Sequence, residues 1–241
     1  MRLSADHAQL EDGQEILELG CGWGSMTLWM ARHFPNSRIL AVSNSNSQRL
    51  SILKNAQEAG LENVEVLTCD MNVFKTDRQF DRIVSIEMFE HMRNWSALMT
   101  RISDWLKPEG RFFMHVFTHR TTPYFFEVED ESDWMSRFFF SGGMMPSLNL
   151  PHIVASPLEV EAEWIWSGMH YKRTADQWLA NMDRHQDQLS DILSATYGPS
   201  SKTVWFNRWR LFFLACSEIF GYAGGDVWPI GHYRLKKRPP N

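Results

Sequence analysis

At 241 residues the chain is long enough to bury a sizeable core without disulfides, and one large domain is the first expectation. Its 24 Lys+Arg against 29 Asp+Glu leave a net charge of −5, which argues against nucleic acid as the main partner, because phosphate binding needs clustered basic charge. Three widely spaced cysteines, Cys21, Cys69 and Cys216, fit neither a disulfide framework nor a zinc site and point to reduced thiols in a cytoplasmic protein. No run approaches the roughly 18 apolar residues that would span a bilayer.

The first half alternates short apolar runs with helical segments, the pattern of a doubly wound, mostly parallel sheet. Strands are predicted at Glu15–Leu19, 38–42, Val64–Thr68, 81–86 and 111–117. Helices are predicted at 26–33, at 47–59 with a stop at Gly60, and at 95–106 with a stop at Pro108 and Gly110. After residue 118 the rhythm breaks. Residues 119–157 mix acidic, aromatic, glycine and proline positions without a period and read as an inserted lid. A sixth strand at 159–166, helices at 174–197 and 202–220, and a last strand at 227–235 complete a seven-stranded sheet. The expected organisation is a single domain over 1–241: a cofactor-binding half (1–118), a lid with the sixth strand (119–171), and C-terminal helices with the last strand (172–241). Of the 11 Trp, 16 Phe and 5 Tyr, many fall after residue 118. Tyr124, Phe125, Phe126, Trp134, Phe138, Phe139 and Phe140 are then candidates for a cation–π wall, although most rings in any chain are simply core.

Chemistry concentrates at the strand ends. Gly20-Cys21-Gly22-Trp23-Gly24 follows the first strand, where an open parallel sheet binds its ligand and glycine lets backbone approach it. The spacing is not the G-x-G-x-x-G of a dinucleotide site, which needs its third glycine above a pyrophosphate. Instead an acidic residue, Glu18, stands two places before the first glycine, able to fix a ligand's ammonium end or the loop itself. After the second strand, Ser43, Asn44 and Gln48 offer neutral groups for ribose hydroxyls, with Ser45 doubling as a helix N-cap. Asp70 and Met71 follow the third strand, an acceptor for an adenine amino group beside a side chain for its ring. The fourth strand ends at Ile86 and runs into Glu87-Met88-Phe89-Glu90-His91-Met92, two carboxylates and an imidazole where a substrate should meet the cofactor. The acidic run 127–133 and the basic run at Arg234, Lys236, Lys237 and Arg238 read more simply as solvated surface.

With these residues in view the chain resembles the class I S-adenosylmethionine-dependent methyltransferases, and within them the group of cyclopropane fatty acid synthases, mycolic acid cyclases and coclaurine-type N-methyltransferases. The shared segments are Leu-Gly-Cys-Gly-Trp-Gly at 19–24, Phe-Glu-His at 89–91 and Leu-Lys-Pro-Glu-Gly at 106–110. The coclaurine-type side adds Ile86 to Met92, His119-Arg120-Thr121, Asp133-Trp134-Met135, Gly168-Met169-His170-Tyr171 and Phe220-Gly221-Tyr222. The resemblance implies S-adenosyl-L-methionine as cofactor and S-adenosyl-L-homocysteine as product. It places Glu18, Gly20, Cys21, Gly22 and Gly24 around the methionine end, Ser43, Asn44 and Gln48 at the ribose, Asp70 and Met71 at the adenine, and Ile86 beside them. It further implies roles for Glu90, His115 and Tyr171, which in the lipid-modifying members help hold a bicarbonate base, and for His170, which in the amine methyltransferases is tied to the substrate nitrogen. The implied partner is a small amine, with aromatic and cyclic ones among the candidates. The alternative is an unsaturated acyl lipid, which is disfavoured by Phe117 standing where the lipid enzymes carry isoleucine. Relatives also carry a longer helical segment ahead of the glycine loop. Its absence here would thin the pocket and leave an apolar edge that a second copy of the chain could cover.

Overall fold

The computed structural model describes residues 1–239. In chain order its elements are α1 (Arg2–Ala8), β1 (Glu15–Leu19), α2 (Ser25–His33), β2 (Arg38–Ser43), α3 (Asn46–Glu58), β3 (Val64–Thr68), β4 (Phe80–Ile86), α4 (Trp95–Trp105), β5 (Leu106–Phe117), β6 (Tyr124–Phe125), α5 (Trp134–Phe138), β7 (Met144–Met145), α6 (Leu150–Ile153), β8 (Leu158–Trp166), α7 (Met169–Arg184), α8 (Gln186–Tyr197), α9 (Lys202–Gly221) and β9 (Ile230–Lys237). Single 3-10 turns cover Phe89–His91 and Tyr222–Gly225.

The chain forms two compact units. The first comprises Met1–Phe117, Leu148–Trp164 and residues 231–239, and it carries the seven-stranded sheet in the order β3-β2-β1-β4-β5-β9-β8. β1 pairs in parallel with β2 on one side and β4 on the other, so chain order reverses at β1 and opens a crevice beyond its C-terminal end. Burial on both faces explains the apolar content of these strands: Ile16, Leu17, Leu19, Leu40, Ala41, Val42, Ile83 and Val84 are all buried. On one face α1 and α2 bring Ala5, Ala8, Met26 and Met30 onto Ile16, Ile39, Val84 and Phe113. α3 brings Ile52 and Ala56 onto Ala41 and Val66. The helix predicted to stop at Gly60 does so through a Schellman closure: Gly60 takes the left-handed conformation, Leu61 N–H donates to the Ala56 carbonyl and Gly60 N–H to that of Gln57.

Other boundaries move. The predicted helix 95–106 ends at Trp105 and β5 starts at once at Leu106, five residues before the expected 111. Leu106 pairs with Phe80 across a register shift, and Gly110 allows it, since a side chain there would strike Leu106 and the Phe80 carbonyl. The last strand runs Ile230–Lys237 rather than 227–235. The first helix after the glycine loop begins one residue early, at Ser25, and the next spans Asn46–Glu58 rather than 47–59.

Elements from the two ends of the chain meet in this unit. His7 of α1 lies 3.0 Å from His232 of β9 between their Nδ1 atoms, and its ring stacks on Trp164 of β8 at 3.7 Å. Burial, then the neighbouring imidazoles His115 and His7, push His232 down to about 3, so it is a neutral ring at working pH.

The second unit comprises Thr118–Ser147 and Ile165–Ile230. The stretch expected to be irregular contains the short antiparallel pair β6–β7, with Tyr124 opposite Met145, as well as α5. Its rings pack on one another: Phe139 stacks on Phe212 at 4.5 Å, the Arg208 guanidinium covers Phe138 at 4.0 Å, and Trp228 Nε1–H donates to the Tyr124 hydroxyl at 3.1 Å. The helix predicted over 174–197 is two helices. α7 starts five residues earlier, at Met169, because the Ser167 hydroxyl accepts the Met169 N–H. It breaks at His185, whose Nδ1 and N–H both turn back to the Asn181 carbonyl. α7 and α9 are clamped by a polar triad in which Lys172 Nζ donates to Ser217 Oγ and Ser217 Oγ to Asp176.

Candidate active site

The crevice beyond β1 is a cleft of about 470 Å³ walled by Gly20, Gly22, Val42, Ser43, Asn44, Gln48, Cys69, Asp70, Met71, Asn72, Glu87, Met88, His91 and Met92. Its floor is the glycine loop. Gly20 and Cys21 N–H both donate to the Val42 carbonyl at 3.0 Å, and the turn is possible because Gly20, Gly22 and Gly24 all take positive φ. A β-carbon on Gly20 would sit 2.5 Å from Met88 Cγ, so the backbone itself is the wall here. Gly20→Ala is expected to cost about 1–3 kcal/mol through the strained φ and the displaced Met88, read as a lower urea midpoint at unchanged slope.

The expected ribose and adenine residues sit where the ends of β2 and β3 face the cleft. Ser43 Oγ donates to Gln48 Oε1 at 2.6 Å and accepts Ser45 N–H, which leaves the Gln48 amide nitrogen with no partner among the described residues. Ser45 is the N-cap of α3, receiving Gln48 N–H, as its position in the sequence suggests. Asp70 Oδ1 accepts both the main-chain and side-chain N–H of Asn72, at 2.8 and 2.9 Å, and Oδ2 has no partner among the described residues. The cleft therefore presents an open donor and an open carboxylate oxygen at adjacent strand ends. That set suits an uncharged sugar and an aminopurine better than a phosphate, which would meet the Asp70 charge unfavourably.

Four expected residues stand one layer behind this wall. Glu18 is buried and its carboxyl accepts the Thr27 hydroxyl of α2, so it braces the loop from within. Burial pushes it up to about 7. Cys21 packs with Leu28, Ala41 and Ile52, and burial pushes its thiol up to about 12, inert as a nucleophile. A β-carbon on Gly24 would strike Ile52, so this glycine serves the contact between α2 and α3. Ile86, half-buried, packs against the core cluster that includes Met26 and Phe113.

The segment after β4 supplies the polar end. Glu87 holds a left-handed φ of 56°, with its N–H donating to the His115 carbonyl and its Oε1 3.2 Å from His115 Nε2. Glu90, completely buried, accepts the Phe117 N–H at 2.8 Å on Oε1. Its Oε2 has no partner among the described residues, and burial followed by the nearby Glu87 charge raises it well above the ordinary carboxylate range. Glu87, His91, Met88 and Met92 reach the cleft while Glu90 and His115 support them from behind. Asn72 was not legible from the sequence. Glu87 and His91 were visible in the run but are distinguished from Glu90 only by the direction in which each side chain leaves the main chain around the 3-10 turn. His170 and Tyr171 belong to the second unit, in the first turn of α7, where His170 meets Trp166 edge-on at 6.1 Å and Tyr171 meets Phe220 at 4.9 Å. Among the described residues no cluster of three or more His, Cys, Asp or Glu could hold a metal, and no helix is long and apolar enough to cross a membrane.

Residues 1–230 match the family described as mycolic acid cyclopropane synthetase. The chain is 35% identical over 242 residues to (S)-coclaurine N-methyltransferase of Thalictrum flavum subsp. glaucum, a match covering 99% of this chain and 67% of that protein. It is 27% identical to the cyclopropane-fatty-acyl-phospholipid synthase of Escherichia coli (strain K12), covering 95% of this chain and 56% of that one. A crystal structure of coclaurine N-methyltransferase bound to N-methylheliamine and SAH superposes with a TM-score of 0.92 at 35% identity, over 98% of this chain and 71% of that one. The cyclopropane synthase MmaA2 from Mycobacterium tuberculosis shares the fold, with a TM-score of 0.81 at 20% identity over 98% of this chain and 82% of that one. With a glycine-loop crevice at the sheet's switch point and these relatives over nearly its whole length, the chain belongs to the mycolic acid cyclopropane synthetase family and is a methyltransferase on its Rossmann-like fold.

Proposed function

We propose that the protein transfers the methyl group of S-adenosyl-L-methionine to the nitrogen of a small amine. The observation that carries this reading is the 35% identity to an N-methyltransferase along the whole chain, joined to a cleft whose open groups suit a nucleoside. The cofactor supplies an electrophilic methyl on a sulfonium. Gly20 and Gly22 lend backbone to its methionine end, with Glu18, Cys21 and Gly24 setting the loop from beneath. Ser43, Asn44 and Gln48 serve the ribose hydroxyls, and Asp70 Oδ2 and Met71 serve the adenine, with Ile86 backing the floor. An amine attacks only with a free lone pair, so a proton acceptor must stand at the substrate end. In this reading Glu90, buried behind the cleft wall, takes that part through an intervening water, with Glu87 and His115 beside it, and His170 with Tyr171 orients the nitrogen. Orientation of nucleophile and methyl then contributes several kcal/mol. The three free cysteines accord with a reducing, cytoplasmic setting.

Incubation with methyl-labelled cofactor, a panel of cyclic amines and unsaturated phospholipid tests the reading. Label in the amines is expected. Label in the lipid would install the acyl-lipid alternative, and absence of S-adenosyl-L-methionine binding would sink both. His170→Ala is expected to leave cofactor binding within about twofold by calorimetry while lowering transfer ~10²-fold, the lower end for a lost acid–base or orienting group. Equal loss of both would remove His170 from the substrate side.

A further inference from the structure

The loop from Asp70 to Phe74 forms one side of the cleft, and its main chain is held from two directions. From the cleft side Asp70 collects N–H groups: its Oδ1 takes Asn72, and its carbonyl takes Val73 and Phe74 at 3.0 and 2.9 Å. From behind, the guanidinium of Arg101, on α4, gathers the opposite set. Its NH2 group donates to the Met71 carbonyl at 2.7 Å, and its NH1 group donates to those of Asn72 and Phe74 at 3.2 and 3.3 Å. The same guanidinium lies 5.6 Å from the Trp105 ring one turn further along α4, and Trp105 meets Phe74 edge-on at 5.0 Å. The planar fork of an arginine suits three converging carbonyls, which a lysine cannot reproduce. Among the described residues no carboxylate pairs with Arg101, and its hydrogen bonds go to this loop.

We propose that Arg101 is a positioning residue for the cofactor: it pre-forms the Met71–Asn72 wall by drawing these carbonyls away from the cleft, so that Met71 and the open Oδ2 of Asp70 already stand in place before the nucleoside arrives. The inference rests on the cleft being the S-adenosyl-L-methionine site. Without the clamp the loop spends part of its time open, and apparent affinity falls by the fraction of time it is formed.

The test compares wild type, Arg101→Ala and Arg101→Lys by calorimetry with S-adenosyl-L-homocysteine, by steady-state kinetics, and by hydrogen exchange at the Val73 and Phe74 amides. For Arg101→Ala a ~10-fold rise in the dissociation constant and in the cofactor KM is expected, as for a loop formed about a tenth of the time, with kcat at saturating cofactor within about twofold. Exchange at the two amides should quicken, and Arg101→Lys should fall between. A lower melting temperature with unchanged affinity and unchanged exchange would overturn the proposal, as would a drop in kcat at unchanged affinity. If wild type itself fails to bind the homocysteine product, the cleft assignment fails, while the exchange rates still decide whether Arg101 holds the loop.

Discussion

Replacing Glu90 with Gln is expected to lower kcat by ~10²–10⁴-fold, the range for loss of a general base, while the dissociation constant for S-adenosyl-L-homocysteine stays within about twofold. Gln is chosen because its amide oxygen still accepts the Phe117 N–H that Glu90 Oε1 receives at 2.8 Å, so the 3-10 turn keeps its link to β5. What disappears is a carboxyl whose second oxygen is buried without a partner among the described residues. Burial and the nearby Glu87 charge favour its protonated form, and a carboxylate made costly in this way is a better proton acceptor once ionised. The pH profile follows with a definite sign. Wild-type turnover should rise with pH through a limb lying above the ordinary carboxylate range, and Glu90→Gln should lose that limb. A profile unchanged in shape, or a kcat within threefold of wild type, would assign the carboxyl to structure alone.

The second large effect concerns stability. Glu18 is buried under the glycine loop and titrates near 7 in the folded chain, against 4.5 as the ordinary glutamate value. Its folded pKa is raised, so over the interval between 4.5 and about 7 the native state keeps a proton that the unfolded chain has lost. Native stability must therefore fall as pH rises through that window. A difference of 7 − 4.5 = 2.5 corresponds to about 3 kcal/mol, flat below the window and flat again above it. Glu18→Gln removes this contribution and retains an acceptor for Thr27. The stability of the Gln variant relative to wild type should thus improve by about 3 kcal/mol between pH 4.5 and 8, measured by urea unfolding at each pH without cofactor. A constant difference across that range would mean that Glu18 does not titrate there.

Much of the first unit was legible because its signals are local. The segments of β1 and β3 are bounded by glycine or polar turns, and Gly60 closes α3 with main-chain hydrogen bonds that depend on one residue's conformation. The errors fall where a distant partner decides. β5 begins at Leu106 because Phe80 pairs with it across a register shift. α7 begins at Met169 because its starting turn is held by Gly168 N–H donating to the Gly225 carbonyl, 57 residues away, with Met169 N–H on the Ser167 hydroxyl. α7 ends at His185, where neither glycine nor proline marks the break. The same division runs through the site. Gly20, Ser43, Asn44, Gln48, Asp70 and Met71 could be placed by counting from strand ends. That Glu18 turns inward to Thr27, and that Glu87 and His91 reach the cleft while Glu90 stays behind it, depends on the direction in which each side chain leaves the main chain. Arg101 carries no sequence signal, because its three acceptors are main-chain carbonyls and every residue has one.

The left-handed backbone at Glu87 has a bearing on any attempt to improve this enzyme. A glutamate at φ 56° is less comfortable there than glycine or asparagine would be, by about 1 kcal/mol. Selection for heat resistance alone would therefore drift toward those residues and discard the carboxylate that faces both the cleft and His115. On the proposed mechanism the most stable sequence and the most active one diverge at this position, and a screen that reads only melting temperature would climb away from function.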